Sequence, residues 1–255
     1  MIPPRISIVT YNIWMTERWP ARAPALERFL TLFTPDLLCV QELHLETQAF
    51  LDQLLRDHAR VHDPLPGWTS EGNIYWKKAM FEPVTHGAEE VGHVEHERRL
   101  FWARLTVRAT GRTILVSTAH LTSPRRKEEM ETGQSPRVGQ LRRISEALSR
   151  LVKDGEPAFF MGDMNDPRQP QRILGEAGFK SCFATLGLQS PPTFQCYPTA
   201  NIEPGEPTIS EAIDLIVSNA HARAIAASVP QCFYGDMAPS DHWPVHAIYE
   251  LASTG

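Results

Sequence analysis

This sequence lacks the cysteine spacings of a zinc site, the long apolar runs of a membrane protein and the signal peptide of a secreted one. Among its 255 residues, no two of the cysteines are spaced as a CxxC pair or as a zinc site; they are Cys39, Cys182, Cys196 and Cys232. No apolar run reaches the ~18–20 residues that a membrane span needs. Residues 1–5 also lack the apolar stretch of a signal peptide. We therefore predict a cytoplasmic protein with reduced thiols and no stable membrane insertion.

An excess of basic residues is missing as well, because the formal net charge is −5. Domains that hold long nucleic acids mainly by charge are strongly basic, so the charge balance argues against such a domain. It does not exclude a nuclease, since a metal ion can supply positive charge at a reacting phosphate. Hydrophobic residues make up 42% of the chain and charged residues 22%, as in ordinary globular proteins.

Short apolar runs alternate with helical spacings along the whole chain, which predicts a single α/β domain over residues 1–255. Strands are predicted at 6–11, 37–40, 74–76, 82–84, 100–107, 113–119, 158–161, 213–217 and 245–251. Helices are predicted at 22–33, 46–55 and 138–152. Two stretches without periodicity, 122–136 and 190–210, are predicted to be long surface loops.

Polar residues stand where the predicted strands end or begin. They are Asn12, Glu42, His120, Asp163, Asn165, Asp214, Asp241 and His242. Asp214 lies inside the apolar run 212–217, where a carboxylate is costly unless it is paired or binds a metal. Taken singly, each residue also fits a turn, a cap or a core position. Their occurrence together is typical of a metal-assisted hydrolase.

These residues fall within six motifs: TYNIW, VQE, STAHL, GDMND, AIDLIV and SDHWPV. The motifs run in this order from residue 10 to residue 245, and with them the chain resembles the endonuclease/exonuclease/phosphatase superfamily. The resemblance implies a four-layer α/β sandwich, in which two packed mixed β-sheets are flanked by helices. The SDHW motif, the segment EGNIYWKK and the STAHL motif with an R-x-x-Q pair resemble most the tyrosyl-DNA phosphodiesterase-like and bacterial-type members.

The resemblance also implies a metal site for Mg²⁺ or Mn²⁺. Glu42 matches the glutamate that binds this metal directly, and Asp241 matches the aspartate that helps to hold it. Asn12 matches the asparagine that lies near the metal and the scissile phosphate. Carboxylate and amide oxygens are hard ligands that suit Mg²⁺.

The remaining motif residues are implied to act on water and phosphate. Asp163 matches the aspartate that aligns or deprotonates the attacking water, and Asn165 the asparagine that steadies phosphate or water. His242 matches the histidine that contacts the phosphate, and Asp214 the aspartate that orients this imidazole. His120 matches a histidine that stabilises the phosphate or protonates the leaving group.

Other positions depart from the pattern or leave alternatives open. Trp14 stands where the apurinic nucleases carry a second acid, and it is either a core residue or a wall for a flat group. Arg98 either binds phosphate or belongs to a solvated run of charges. Arg137 and Gln140 resemble an R-x-x-Q pair of the histidine-containing members, but they also fit an ordinary helix face.

We expect a metal-dependent phosphodiesterase or nuclease that acts on nucleic-acid ends or short single strands, with no protein partner implied. One alternative is a phospholipid or sphingomyelin-type phosphodiesterase, which would need an exposed apolar loop, whereas 122–136 is charged. A small-molecule phosphatase is another alternative. A binding module without activity would be expected to lose its acids, yet Glu42, Asp163, Asp214 and Asp241 are all present.

Overall fold

The computed structural model describes residues 4–92, 97–194 and 211–252. Its strands are β1 (Arg5–Asn12), β2 (Leu37–Gln41), β3 (His58–Arg60), β4 (Gly72–Lys77), β5 (Phe81–Glu89), β6 (Leu100–Val107), β7 (Arg112–His120), β8 (Ala158–Asp163), β9 (Lys180–Ser181), β10 (Asp214–Ser218), β11 (Ala222–Ser228) and β12 (Val245–Leu251). Its helices are α1 (Ala23–Phe33), α2 (Leu45–Leu54), α3 (Gly67–Ser70), α4 (Lys127–Thr132), α5 (Arg137–Leu151), α6 (Gln169–Glu176) and α7 (Cys182–Thr185).

The strands form two six-stranded sheets. The first sheet has the order β11-β12-β1-β2-β4-β3, and the second has the order β5-β6-β7-β8-β10-β9. Both sheets are mixed, because β1 pairs parallel with β2 and β7 pairs parallel with β8, whereas the other pairs are antiparallel. Each sheet therefore has one parallel pair near its centre.

Strand β1 shows how the layers stack. Ile6 and Ile8 belong to the apolar core between the two sheets, whereas Val9 and Tyr11 belong to a separate core that includes α1. A strand that is covered on both faces is expected to be apolar throughout rather than alternating. The continuous apolar run at the start of the chain therefore reflects a layer of helix on one side and a second sheet on the other.

Helices cover the outer face of each sheet. On the first sheet, α1 buries Leu26 and Phe29 in the core that it shares with Tyr11. On the second sheet, α5 buries Leu141 and Ile144 in a further apolar core. The order helix, sheet, sheet, helix confirms the predicted four-layer α/β sandwich.

The described residues correct the sequence interpretation in several places. The stretch 122–136 was predicted to be a loop throughout, which is wrong, because it contains α4. This helix buries none of its residues, so it has no apolar stripe that periodicity could reveal. Strands β3 and β11 and helix α6 were also not predicted. Most of the predicted 190–210 loop, with Cys196, lies outside the described residues.

The described residues also bear on the predicted state of the thiols and on membrane-spanning helices. Cys39 and Cys182 are buried free thiols, and Cys232 is a half-buried one, which agrees with the reduced state predicted for them. No helix among the described residues is both long and apolar enough to cross a membrane.

The two parallel pairs bring the ends of their strands to one edge of the molecule. Asn12 ends β1 opposite Gln41 at the end of β2, and His120 ends β7 opposite Asp163 at the end of β8. Strand β10 runs antiparallel to β8 and begins with Asp214 opposite Asp163. Within each sheet, the register therefore places these polar residues beside one another.

Candidate active site

The first sheet contributes Asn12 and Glu42. The buried Asn12 amide donates to Oε1 of Glu42 at 3.2 Å and to Oδ2 of Asp163 at 3.0 Å, so it joins the two sheets. Glu42 directly follows β2 and has a φ of 54°, in the left-handed region that few residues other than glycine adopt. This backbone turn directs the Glu42 side chain into a cleft, where it is partly exposed.

The second sheet contributes Asp163 through a glycine that the packing requires. A Cβ atom at Gly162 would lie 2.0 Å from the carbonyl oxygen of Ala119 in β7, and φ there is +141°. The glycine therefore lets β8 approach β7 closely just before Asp163. The backbone N–H of Asn165 then donates to Oδ1 of Asp163 at 2.8 Å, which fixes the carboxylate after the strand has ended.

Two imidazoles approach the same oxygen of Asp163. Nε2 of His120 lies 3.4 Å from Oδ2, and Nε2 of His242 lies 3.7 Å from it. Each imidazole is held from behind by another acid. Nδ1 of His120 is 2.8 Å from Oε1 of Glu71, and Nδ1 of His242 is 2.8 Å from Oδ2 of Asp214. The predicted Asp214–His242 contact is therefore present, and a second acid–imidazole pair faces it across Asp163.

The electrostatic consequence is clearest at His242. Burial by itself lowers the pKa of its imidazole, but the carboxylates of Asp214, Asp163 and Asp241 outweigh burial and raise the pKa to about 10. Burial raises the pKa of Asp163, yet His242, His120 and the hydrogen bonds to its oxygens lower it below the ordinary value. At neutral pH the site therefore presents an imidazolium next to an ionised aspartate.

Glu42 and Asp241 form the more anionic part of the site. Desolvation in the cleft, together with the nearby charges of Glu42 and Asp163, raises the pKa of Asp241 to about 6, although His242 acts in the opposite direction. A carboxylate whose pKa is raised by neighbouring carboxylates is stabilised by a cation beside it. The oxygens of Glu42, Asp241 and Asn12 are hard donors, so the residues present fit a Mg²⁺- or Mn²⁺-type ion.

A second group of side chains could also hold a metal ion. Asp163, Asp214 and His242 each present one ligand atom, and these atoms lie within 4.8 Å of one another. In this group the imidazole already donates to Asp214, and its raised pKa keeps it protonated. A metal ligand must be a neutral imidazole, so an ion could bind in this group only if His242 lost a proton, whereas Glu42, Asp241 and Asn12 offer oxygen atoms.

All eight polar residues of the motifs lie together, and all but Asn12 and Asp214 line one open cleft of about 240 Å³. The cleft is lined by Trp14, Glu42, Arg98, His120, Ser123, Pro124, Arg125, Asp163, Asn165, Phe194, Glu211, Ile213, Asp241 and His242. Asn12 and Asp214 lie directly beneath it through their hydrogen bonds to Asp163 and His242.

Trp14 is the first of the positions for which the sequence allowed two interpretations. Trp14 is half-buried and forms part of the cleft wall, so it is not a core residue. Its indole lies 5.1 Å from the guanidinium carbon of the buried Arg22, which also donates to the carbonyl groups of Trp14 and Ile13. Arg22 donates in addition to the carbonyl of Pro239, two residues before Asp241. This arginine therefore ties together two segments that carry site residues.

Arg98 lines the cleft and is mostly buried, so it does not belong to a solvated run of charges. Its Nε is 3.2 Å from Oε1 of Glu71, and its Nη1 donates to the carbonyl of Leu121 at 2.9 Å. Arg137 and Gln140 are buried too, and both hold Thr122, which follows β7 and His120. They are therefore not an ordinary exposed helix face, because they support the loop beside the site.

Glu71 is the site residue that the sequence interpretation missed. It lies between α3 and β4, within the segment EGNIYWKK, rather than at the end of an apolar run. Its partner His120 is 49 residues away in the sequence, so the pairing depends on the packing of β4 beside β2 and on the sandwich as a whole. The available signal was an acid directly before a buried strand.

Solved structures with the same architecture include proteins of several activities. TDP2 of D. rerio, solved with a single strand DNA product, has a TM-score of 0.78 at 20% identity, and the match covers 96% of this chain and 99% of that chain. Truncated TDP2 of Caenorhabditis elegans has a TM-score of 0.74 at 18% identity, covering 96% and 97%. The mannosyl-6-phosphatase of Bacteroides thetaiotaomicron VPI-5482 has a TM-score of 0.73 at 16% identity, covering 96% and 99%.

At these identities the structural likeness shows the shared fold. At the level of sequence, no curated protein matches the chain. The model of the endonuclease/exonuclease/phosphatase family, however, matches residues 9–242, which include every one of the eight polar motif residues. The resemblance stated from the motifs is thereby confirmed, and the chain belongs to the endonuclease/exonuclease/phosphatase family.

Proposed function

We propose that the chain is a divalent-metal-dependent hydrolase of phosphate esters, and that its substrates are phosphodiesters at nucleic-acid ends or in short single strands. One observation carries the reaction class. Two acid-held imidazoles and an asparagine converge on Oδ2 of Asp163, and the carboxylates of Glu42 and Asp241 line the same cleft. This arrangement offers cationic groups for a phosphate, an acceptor for water and oxygen ligands for a metal.

Within this proposal, each side chain has a task that its charge state permits. His242 is an imidazolium at neutral pH and donates from Nε2 to a phosphoryl oxygen, while Asp214 fixes its orientation. Asp163 is ionised and already receives donors from both sheets, so it accepts a hydrogen bond from the attacking water and orients it. Asn165 and His120 contact each other, and in this proposal both contact the phosphate or the leaving group.

Glu42, Asp241 and Asn12 would hold the metal. When it is bound, a divalent ion polarises the phosphoryl oxygen and offsets negative charge at the phosphate. The protein's own contribution is to keep two carboxylates in one cleft and an amide directly beneath it, with Asn12 fixed by its hydrogen bonds to Glu42 and Asp163. Both Mg²⁺ and Mn²⁺ accept these donors.

The preference for short or single-stranded substrates is supported by charge and size. The net charge of −5 does not favour long duplexes, and the cleft of about 240 Å³ is small. D. rerio TDP2, a structural neighbour, has been solved with a single strand DNA product. Another neighbour is a mannosyl-6-phosphatase, so sugar phosphates belong in the same substrate screen.

We further propose that residues 1–255 act as one domain and that the protein is cytoplasmic. The family match over 9–242 supports the first part, and the free thiols of Cys39 and Cys182 are consistent with the second.

The metal role is tested with Glu42→Gln, which removes one charge with little change in shape. Hydrolysis of bis-p-nitrophenyl phosphate should require Mg²⁺ or Mn²⁺, and the variant should need at least about tenfold more metal for half-maximal activity. Glu46→Gln is the matched control, because Glu46 is an exposed glutamate on α2 outside the cleft. Activity that persists in EDTA, or equal metal requirements in the two variants, would refute the assignment.

The substrate class is tested by a direct comparison of rates. The purified protein is given short DNA and RNA single strands, a DNA duplex, phospholipid vesicles and mannose 6-phosphate under the same metal conditions. We expect the highest kcat/KM for the single strands. A higher kcat/KM for the sugar phosphate or the phospholipid would keep the reaction class but replace the proposed substrate.

A further inference from the structure

We propose that Arg125 and Phe194 form a subsite for a second phosphate group of the substrate, next to the scissile phosphate. The inference rests on the proposed function and deepens it, because it selects substrates with more than one phosphate. Both residues line the cleft, and neither belongs to the motifs that carry the reaction chemistry.

Phe194 is held at a defined place beside the reacting centre. Its backbone forms β-bridges with Glu211 and His242, and its N–H donates to the carbonyl of Glu211 at 3.0 Å. The preceding residue, Thr193, accepts the N–H of Trp243 at 2.7 Å. The ring of Phe194 lies 4.9 Å from the imidazole of His242. A group bound on this ring is therefore next to a phosphate that is bound by His242.

Arg125 also lies next to the Phe194 ring. Its guanidinium carbon is 5.6 Å from the centre of the ring, which is within the range of a cation–π contact. A cation–π contact uses none of the hydrogen bonds that the guanidinium N–H groups can donate to a ligand. The Arg125 side chain is exposed, so the contact orients it toward the cleft without burying its charge.

The other arginine of the cleft is already occupied. Arg98 pairs with Glu71 and donates to the carbonyl of Leu121. For Arg125, by contrast, the structure gives no ion pair among the described residues. A planar guanidinium matches the oxygens of a phosphate, and no described residue pairs with that of Arg125. Arg125 is therefore the cleft arginine that is available to bind a phosphate other than the one beside His242.

The subsite implies a graded substrate preference. A substrate with one phosphate reaches His242 but has no anionic group for Arg125. A substrate with a neighbouring phosphate gains a charge-assisted hydrogen bond from Arg125, which the ring of Phe194 holds beside the cleft. Exposure to solvent moderates this gain and makes it sensitive to salt.

The experiment compares a thymidine dinucleotide with the same dinucleotide carrying a terminal phosphate at its 5′ or its 3′ end. For the wild type, we expect a higher kcat/KM with one of the two phosphorylated forms. Arg125→Gln should lower that preference about tenfold, as expected for loss of a charge-assisted hydrogen bond. Arg125→Lys should give an intermediate value. Arg56→Gln removes the same charge outside the cleft and should retain the wild-type preference.

An unchanged preference in Arg125→Gln would overturn the subsite, and so would an equal fall in Arg56→Gln. If the wild type hydrolyses no phosphate ester, the proposed function fails and the subsite is judged by binding. Fluorescence anisotropy of a labelled tetrathymidylate should then give a Kd at least about fivefold higher for Arg125→Gln than for Arg56→Gln. Equal Kd values would overturn the subsite independently of any activity.

Discussion

The replacement Asp214→Asn separates the two metal assignments that the geometry allows. Asp214 is buried, and its Oδ2 accepts from Nδ1 of His242 at 2.8 Å. The amide is nearly the same shape, so the variant removes a charge and leaves the packing intact. If Asp214 acts only through His242, the variant should weaken the stabilisation of the phosphate and leave metal binding unaffected.

The size of the effect follows from this contact. A hydrogen bond to a charged group contributes about 1.5–3 kcal/mol and a neutral one about 1 kcal/mol. The loss of the charge alone therefore removes about 0.5–2 kcal/mol, which lowers the rate about 2- to 30-fold. Oδ1 of Asp214 adds little to this figure, because it has no hydrogen-bond partner among the described residues.

The assay measures kcat for bis-p-nitrophenyl phosphate over a series of Mg²⁺ concentrations. We expect a lower kcat with an unchanged half-saturating Mg²⁺ concentration, and an unchanged Tm to show that the fold is intact. Glu211→Gln serves as a control, because Glu211 lines the cleft without contacting His242 through its side chain. A rise in half-saturating Mg²⁺ as large as that in Glu42→Gln would show that Asp214 and His242 bind the metal, and would refute our assignment.

Two further predictions concern stability and substrate contact. Glu156 is buried with Arg104, with Nε and Oε1 at 2.8 Å, and Glu156→Gln should lower the free energy of unfolding by about 3–5 kcal/mol; a loss below about 1 kcal/mol in urea denaturation would refute this. Burial opposes ionisation of Glu156, but Arg104, Thr113 and the backbone of Lys153 lower its pKa below 4.5. Its stabilising contribution is therefore present above pH 4.5 and is lost as the pH falls through the lowered pKa, a dependence that Glu156→Gln should lack. Trp14→Leu should raise KM for single strands about 5- to 100-fold with a smaller change in kcat, as expected for a lost stacking surface; an unchanged KM would show that the indole does not contact the substrate.

The parts of the fold that the sequence predicted are those with strong local patterns. β1, β7 and β8 are apolar runs buried on both faces, and α5 has a regular apolar stripe. β11 was missed because its Ala-rich sequence carries little strand preference and its burial alternates weakly. α4 was missed because an exposed helix has no periodic apolar residues.

The candidate site shows the same division. Strand order cannot be read from the motifs, yet each motif residue stands at a strand end or within four residues of one, so the family pattern was sufficient to group them. Glu71 depends on a contact across the sandwich, and local patterns contain no information about such a contact. The engagement of Arg98 by Glu71 could not be predicted for the same reason, since the sequence shows a run of charges without showing their partners.

The left-handed backbone at Glu42 has a consequence for how this enzyme can change. Glycine relieves such a conformation by about 1 kcal/mol or more, so random mutation combined with selection for stability alone would favour glycine at this position. The acid is kept only while its carboxylate is needed in the cleft. Position 42 is therefore a place where a gain in stability and a loss of activity are expected to come from the same substitution, and stabilised variants of this chain should be checked there first.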